Sequence, residues 1–204
     1  MEKRILRAAV QVFARKSYHG SSIAEIAEEA GLATGTIYLY FRRKEDLLLS
    51  LFENTLRPYL HHCEPLIQAL PPGLPQLRKL VELQFQFFEQ DRAQARVFQI
   101  HAREVNPTLK PSISRTLAHY HQIIDRVVEA GVSSGKFSPH IDQFLARQLV
   151  FSGLDSLVTH WVLADRPYPL SRHLEPWCAM LARALGAESA FAETSPSQEQ
   201  DHVG

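Results

Sequence analysis

Apolar residues recur along this chain at intervals of three and four, the spacing that lines up one face of a helix. Ile5, Leu6, Ala9, Val12 and Phe13 form the first such stripe. No stretch shows the strict alternation of a half-buried strand, so the pattern predicts an all-α fold of about nine helices. Ser22 precedes an Ile-Ala-Glu run with Glu25 three residues on, a capping box that starts a helix, and Gly31 suits the left-handed position that ends it. A short helical segment follows from Thr34 to Phe41. A longer helix begins near Lys44, with Glu45 and Asp46 in the first turn, where the helix dipole favours acids.

Pro71, Pro72, Gly73 and Pro75 interrupt the chain after that long helix. Beyond them, helical patterns run over 74–91, 93–104, 110–133, 140–164 and 170–185, punctuated by Asn106-Pro107, by Gly135 with Pro139, and by Pro167 with Pro169. The division expected is a three-helix head at 1–50, a helical ligand-binding and dimerisation body at 51–186, and a disordered acidic tail at 187–204. The tail is rich in Ser, Glu, Gln and Pro and poor in large apolar side chains.

Two short helices joined by a glycine turn, as in residues 22–41, make a helix-turn-helix. Ala27 and Ala30 are small where the helices must cross, and Leu32, Ile37 and Phe41 hold the second helix in place. The second helix has a slim polar start in Thr34, Gly35 and Thr36, which fits the major groove and presents backbone N–H groups and hydroxyls. Tyr38 and Tyr40 offer hydroxyls to phosphates and ring edges to thymine methyls, and Lys44 sits at the next helix start, suited to a phosphate. Taken singly, each tyrosine also fits a half-buried core position. The spacing of the whole string favours DNA.

Charge alone would not have pointed to nucleic acid, because 22 basic residues balance 22 acidic ones. Only the distribution leans that way, with nine Lys/Arg against seven Asp/Glu in residues 1–57. Cys63 and Cys178 form no CxxC pair and read as reduced thiols, no apolar run approaches the ~20 residues of a membrane helix, and the first residues lack the apolar core of a signal peptide. A cytoplasmic location is expected. No metal site is expected, since no two histidines stand four apart on a helix face, and no nucleophile–base set or phosphate loop suggests a catalytic site or cofactor.

In the body, segment 140–164 carries two apolar rows, Ile141, Leu145 and Leu149 in one and Phe144, Phe151, Leu154, Val158 and Trp161 in the other. Two rows suit a helix packed inward on one side and on a partner subunit on the other, with Ser152, Gly153 and Ser156 allowing close approach, although both rows also fit a fully enclosed core helix. Segment 170–185 adds Leu174, Trp177, Leu181, Ala184 and Leu185 to the same expected interface. Phe85, Phe88, Phe98 and Phe151 are the candidate lining of an apolar slot, with Arg92, Arg96, Arg103 and Lys110 as candidate partners of an anionic ligand head. Those cations equally fit a solvated face paired with Glu89, Asp91 and Glu104.

Residues 5–52 resemble the DNA-binding domain of TetR-family regulators through the strings IAEEAG, GTIYLYF and KEDLL. Ala33 departs from the family pattern, which carries a capping Ser there, and Thr34 is the substitute cap. The resemblance implies a homodimer that binds a palindromic operator in double-stranded DNA through Ser22, Thr34, Gly35, Thr36, Tyr38, Leu39, Tyr40 and Lys44. It also implies release by a hydrophobic ligand. The stretches Arg96–Ile100, Asn106-Pro107 and Arg147–Phe151 through Trp161 are similar to the fatty-acid-degradation repressors of that family, which implies long-chain acyl-CoA as effector. A repressor of efflux genes induced by an aromatic or cationic drug would instead show acidic and aromatic linings. An acyl-CoA enzyme or a ligandless DNA-binding protein are the rivals of other classes.

Overall fold

The structure, a computed structural model, describes residues 1–101, 110–166 and 168–187, with the backbone alone for 101 and 110–113. The expected disordered tail from 188 onward and Arg103 therefore lie outside the described residues, Ala187 at its start packs against the core, and of Lys110 only the backbone is described. Every regular element among the described residues is helical. The head holds α1 (Glu2–Lys16), α2 (Ile23–Ala30) and α3 (Thr34–Tyr40). Then α4 (Lys44–Leu51) continues through a π-helical turn at Phe52–Leu56 into α5 (Arg57–Gln68), one unbroken rod. The body adds α6 (Leu74–Glu89), α7 (Arg92–Arg96) with a second π-helical turn at Val97–His101, α8 (Lys110–Ser133), α9 (Gln143–Leu163) and α10 (Leu174–Ala184). These ten α-helices, two of them fused in one rod, match the expected all-helical architecture.

The head is built on α1, which buries Ile5, Leu6, Ala9, Val12 and Phe13 against α2 and α4. The predicted capping box is present: Ser22 Oγ accepts from the Glu25 amide at 3.3 Å, and the Glu25 carboxylate accepts from the Ser22 amide at 2.8 Å. Gly31 ends α2 at φ 62°, where a left-handed residue is needed, and its amide donates to Ala27 and Glu28. Arg4 of α1 reaches the same helix end, donating to the carbonyls of Ala30 at 2.6 Å and Gly31 at 3.1 Å. At the other end of the molecule Gly153 lets α9 and α10 touch, because a Cβ there would stand 2.2 Å from the Trp177 ring.

Head and body share structural elements. Along the α4–α5 rod, Leu47, Leu48 and Leu51 are buried in the head, and Phe52, Leu60, Cys63 and Ile67 are buried further along. Helix α1 also packs on α7 and on the π-helical turn that follows it. Helices α5 and α7 are therefore both tied to the head, α5 through the rod and α7 through α1.

Candidate DNA interface and effector cavity

Helix α3 is anchored on one face only. Ile37 is fully buried, Phe41 beyond its end is buried, and Leu32 before it is half-buried, as the sequence predicts. The other face stands in solvent: Thr34, Gly35, Tyr38 and Tyr40 are exposed, Thr36 is partly so, and Leu39 is 83% exposed. An apolar side chain held that far into water on a short rigid helix has no role in the fold. Gly35 points the same way. Its backbone is not left-handed and a Cβ built on it meets nothing within 4 Å, so neither conformation nor packing requires glycine there. What a missing side chain permits at that position is close approach of an external surface. Ala33, not Thr34, takes the cap position of α3, and no side chain caps the helix.

Ser22 spends its hydroxyl in the capping box, at the edge of this face. Lys44 is placed differently from the expectation. Its Nζ donates to the carbonyls of Tyr18 at 2.7 Å and Ser21 at 2.8 Å and lies 4.6 Å from the Tyr18 ring centre. Burial lowers its pKa against the opposing fields of Glu45 and Glu25. It fastens the α1–α2 loop to α4 and has one N–H left. Arg42, two residues earlier in the bend before α4 and exposed, is a cation that the sequence pattern did not single out. Its signal was the Arg42-Arg43 pair directly after the recognition helix.

The body contains an apolar cavity of about 340 Å³, within the range of small-molecule sites. Helix α5 contributes Tyr59, Leu60, Cys63 and Ile67, and the π-turn before it adds Phe52 and Leu56. Helix α6 supplies Leu80, Leu83, Gln84, Phe87 and Phe88, α8 supplies Leu117, Tyr120 and Ile123, and α9 supplies Phe151 and Asp155. Phe98 and Gln99 come from the second π-turn. The predicted residues Phe88, Phe98 and Phe151 are thus brought together. Phe85 is not: it is buried in a separate row of α6 with Leu77 and Val81, and Phe87 takes the lining position. The aromatic rings pack on one another, with Phe52 to Phe98 at 4.7 Å, Tyr59 to Phe87 at 4.3 Å and Phe87 to Phe88 at 5.2 Å. Polar groups in the wall are held by their neighbours, Tyr59 donating to the Leu83 carbonyl and Tyr120 to Gln84. Burial pushes the Cys63 thiol up, which keeps it protonated and a poor nucleophile.

Of the predicted cations, Arg92 and Arg96 do not line this cavity, while Arg103 and the side chain of Lys110 lie outside the described residues. Arg92 donates to the carbonyls of Trp161 at 3.1 Å, Val162 at 3.2 Å and Ala164, closing the C-terminal end of α9. Its guanidinium thereby satisfies orphan carbonyls instead of a ligand. Arg96 is exposed at the end of α7. Among the described lining residues no Lys or Arg occurs, and Asp155 is the charged one.

A third surface is apolar without a covering. On α9, Phe144, Leu145, Leu149 and Leu163 are exposed, and Met180 of α10 is 59% exposed. Leu145, Leu149, Ser152, Ser156 and Leu163 follow one another at helical spacing down a single open row. Phe144 belongs with this outward side and not with the inward row assigned from sequence. Leu181 and Leu185 are each 1% exposed and point into the body, so they cannot be contact residues of a partner. Among the described residues, no helix is long and apolar enough to cross a membrane.

Residues 5–51 match the family described as bacterial regulatory proteins, tetR family, and residues 52–184 match the YsiA-like protein, C-terminal region. The fatty acid metabolism regulator protein of Bacillus subtilis is 36% identical over 167 residues, covering 82% of this chain and 86% of that one. Among solved structures, the transcriptional regulator FadR from Bacillus subtilis in complex with stearoyl-CoA superposes with a TM-score of 0.83 at 34% identity, covering 89% of this chain and 98% of that chain. The fatty acid degradation regulator FadR from Bacillus halodurans gives 0.85 at 35% identity over 90% of this chain and 95% of its own. These matches span both the recognition helix and the cavity-bearing body, and this chain belongs to the tetR family of bacterial regulatory proteins.

Proposed function

We propose that the protein is a cytoplasmic, homodimeric repressor of fatty-acid-degradation genes that leaves a palindromic operator when long-chain acyl-CoA fills its cavity. The observation that carries this reading is the single rod from Lys44 to Gln68, whose first turns pack in the head and whose later turns wall the cavity. A ligand shifts an equilibrium only by its differential affinity for two states. Here one rod walls the cavity and packs in the head that carries the recognition helix, so a shape that suits the ligand and a shape that suits DNA need not coincide. Phe52 and Phe98 meet at 4.7 Å across the two π-turns, and an acyl tail reaching them would part α5 from the α7 segment on which α1 rests. The likeness to a FadR crystallised with stearoyl-CoA supports the ligand class.

DNA contact falls to Thr34, Gly35, Thr36, Tyr38, Leu39 and Tyr40, with Arg42 at the phosphates and Ser22 and the remaining Lys44 proton at the edge. The open row on α9 with Met180 of α10 is the dimer face. The role is regulatory, not catalytic: the cavity's cysteine is held protonated, and its hydroxyls are bound to neighbouring oxygens.

The test is operator release, followed by fluorescence anisotropy, against a series of acyl-CoAs, free fatty acids and bare CoA. Each methylene buried contributes roughly 0.8 kcal/mol, so potency should rise with chain length until the cavity is full. Bare CoA should act far more weakly. Equal potency of bare CoA and lauroyl-CoA, or no release by any of them, would overturn the acyl-CoA reading and leave the DNA interface standing. Asp155 among aromatic rings favours one rival, a lipophilic cation as inducer. That carboxylate already has a partner, which weakens the rival, and release by tetraphenylphosphonium but not by acyl-CoA would establish it.

A further inference from the structure

One stretch of the cavity wall is polar. Gln84 of α6, Tyr120 of α8 and Asp155 of α9 stand there among apolar and aromatic side chains. Tyr59 fixes their level along the cavity, because its hydroxyl donates to the Leu83 carbonyl beside Gln84. That is the middle of the wall which begins at Phe52 and ends at Ile67 of α5. Tyr120 donates to Gln84 Oε1. Burial first, then Cys63 and Asp155, push the Tyr120 phenol up, so it stays a donor in that bond. With its carbonyl taken, Gln84 has two amide N–H groups left to offer. The Tyr120 ring lies 5.9 Å from the Phe151 ring, and Asp155 follows Phe151 by one turn on the same cavity-facing side of α9. Asp155 already has a partner in its own chain, but a carboxylate carries roughly four lone-pair sites and accepts further donors.

We propose that Gln84 and Asp155 select an effector whose acyl chain carries a hydroxyl near its middle; the proposal rests on the acyl-CoA reading above. The two side chains together distinguish a hydroxyl from other polar groups. A cation suits Asp155 and opposes the Gln84 N–H groups. A carbonyl only accepts, so it suits Gln84 and opposes Asp155. A hydroxyl meets both, donating its O–H to the carboxylate and accepting from the amide. An unsubstituted chain would face both groups with methylenes and leave their hydrogen-bonding capacity unmet. A chain lying along the wall between Phe52 and Ile67 passes the polar stretch halfway, in whichever direction it enters. A hydroxyl beside the thioester would therefore miss it.

The experiment titrates operator release in the wild type, Asp155→Asn and Gln84→Met with three probes: palmitoyl-CoA, palmitoyl-CoA hydroxylated on its eighth carbon, and β-hydroxypalmitoyl-CoA. Melting followed by circular dichroism verifies that each variant is folded. In the wild type the mid-chain hydroxyl should lower the concentration for half-release about tenfold against palmitoyl-CoA, the gain from one hydrogen bond to a charged group. The β-hydroxyl should bring no such gain. Each variant should shrink the mid-chain advantage toward nothing, Asp155→Asn because the acceptor loses its charge and Gln84→Met because the N–H donors are gone. If the wild type responds equally to the plain and the mid-chain hydroxylated probe, if the advantage survives in both variants, or if the β-hydroxyl gains as much, the hydroxyl site is wrong and the acyl-CoA reading survives. If none of the three probes releases the operator from the wild type, both fall together.

Discussion

At the scale of single residues, the positions that matter for DNA are those whose chemistry the fold does not use. Gly35 is the sharpest case. Glycine inside a helix costs about 0.5–1 kcal/mol against alanine, and a methyl at this site meets open space. Gly35→Ala should therefore raise or preserve the unfolding midpoint in urea while weakening operator binding. Coincident loss of both properties would show that the glycine serves the fold after all. Lys44 makes the opposite case. Removing it as Lys44→Met leaves the Ser21 carbonyl without this donor and the Tyr18 carbonyl with the Ser21 hydroxyl alone, which should cost about 1–3 kcal/mol of stability in urea denaturation. Arg42→Ala should leave stability alone and reduce the slope of log affinity against log salt by about one phosphate contact. A salt slope that falls for Lys44→Met and not for Arg42→Ala would reverse these two roles. The recognition motif was legible from sequence because its spacing is rigid. The division of labour between neighbouring cations was not, since it depends on a loop, residues 17–22, that brings two carbonyls to Lys44.

At the scale of elements, helical rows explain both what the sequence revealed and what it hid. On α6 the row Leu80, Gln84, Phe87 and Phe88 faces the cavity, and Leu77, Val81 and Phe85 form the next row. Counting phenylalanines selected Phe85, whereas counting by 3.6 would have selected Phe87. The same count from the π-turn into α5 joins Leu56, Tyr59, Leu60, Cys63 and Ile67 into one face of the cavity wall. The π-turns had no such signal, because they shift the period by one residue where Phe52 and Phe98 meet. Phe98→Leu keeps an apolar group there but shortens the contact with Phe52. It should leave acyl-CoA binding measurable by calorimetry while raising the concentration needed for operator release, and proportional changes in both would deny Phe98 a role in transmission. Helix α2 offers a pH test. Lys16, and then Ser22, hold the Glu25 carboxyl down to about 2, well below its ordinary value. A depressed carboxyl pKa gives support that is present above the unfolded value near 4.5 and fades as pH falls toward 2. Carbon-detected NMR titration should show Glu25 still ionised at pH 3.5, and an ordinary midpoint would mean that the capping box does not persist in solution.

At the scale of the whole molecule, one head cannot read a palindrome. Two recognition helices must sit about one DNA turn apart, ~34–36 Å, and only a rigid pairing of two bodies can fix that distance. The surface we propose for it is the open row of α9 with Met180 of α10, because the other large apolar side chains of these two helices are buried in their own subunit or half-buried against it. The sequence made both rows of α9 visible but not which one faces outward, since that is decided by the α8 and α7 contacts and by the Trp177 ring of α10 against Gly153. The outward row makes a discriminating experiment possible. Leu145 is 63% exposed and Leu181 is 1% exposed, so the same change to glutamate at the two sites should have opposite consequences. Leu145→Glu, combined with Leu149→Glu, places charges where a partner would have to desolvate them, and should yield a folded monomer by sedimentation with native circular dichroism. Leu181→Glu buries a carboxylate in the subunit's own core and should lower the melting temperature or abolish folding. Operator affinity should fall steeply for the double variant although every DNA-contacting side chain is intact, because the two half-sites are then bound by independent heads. A double variant that still sediments as a dimer would move the interface off α9, and with it the proposed lever between cavity and DNA.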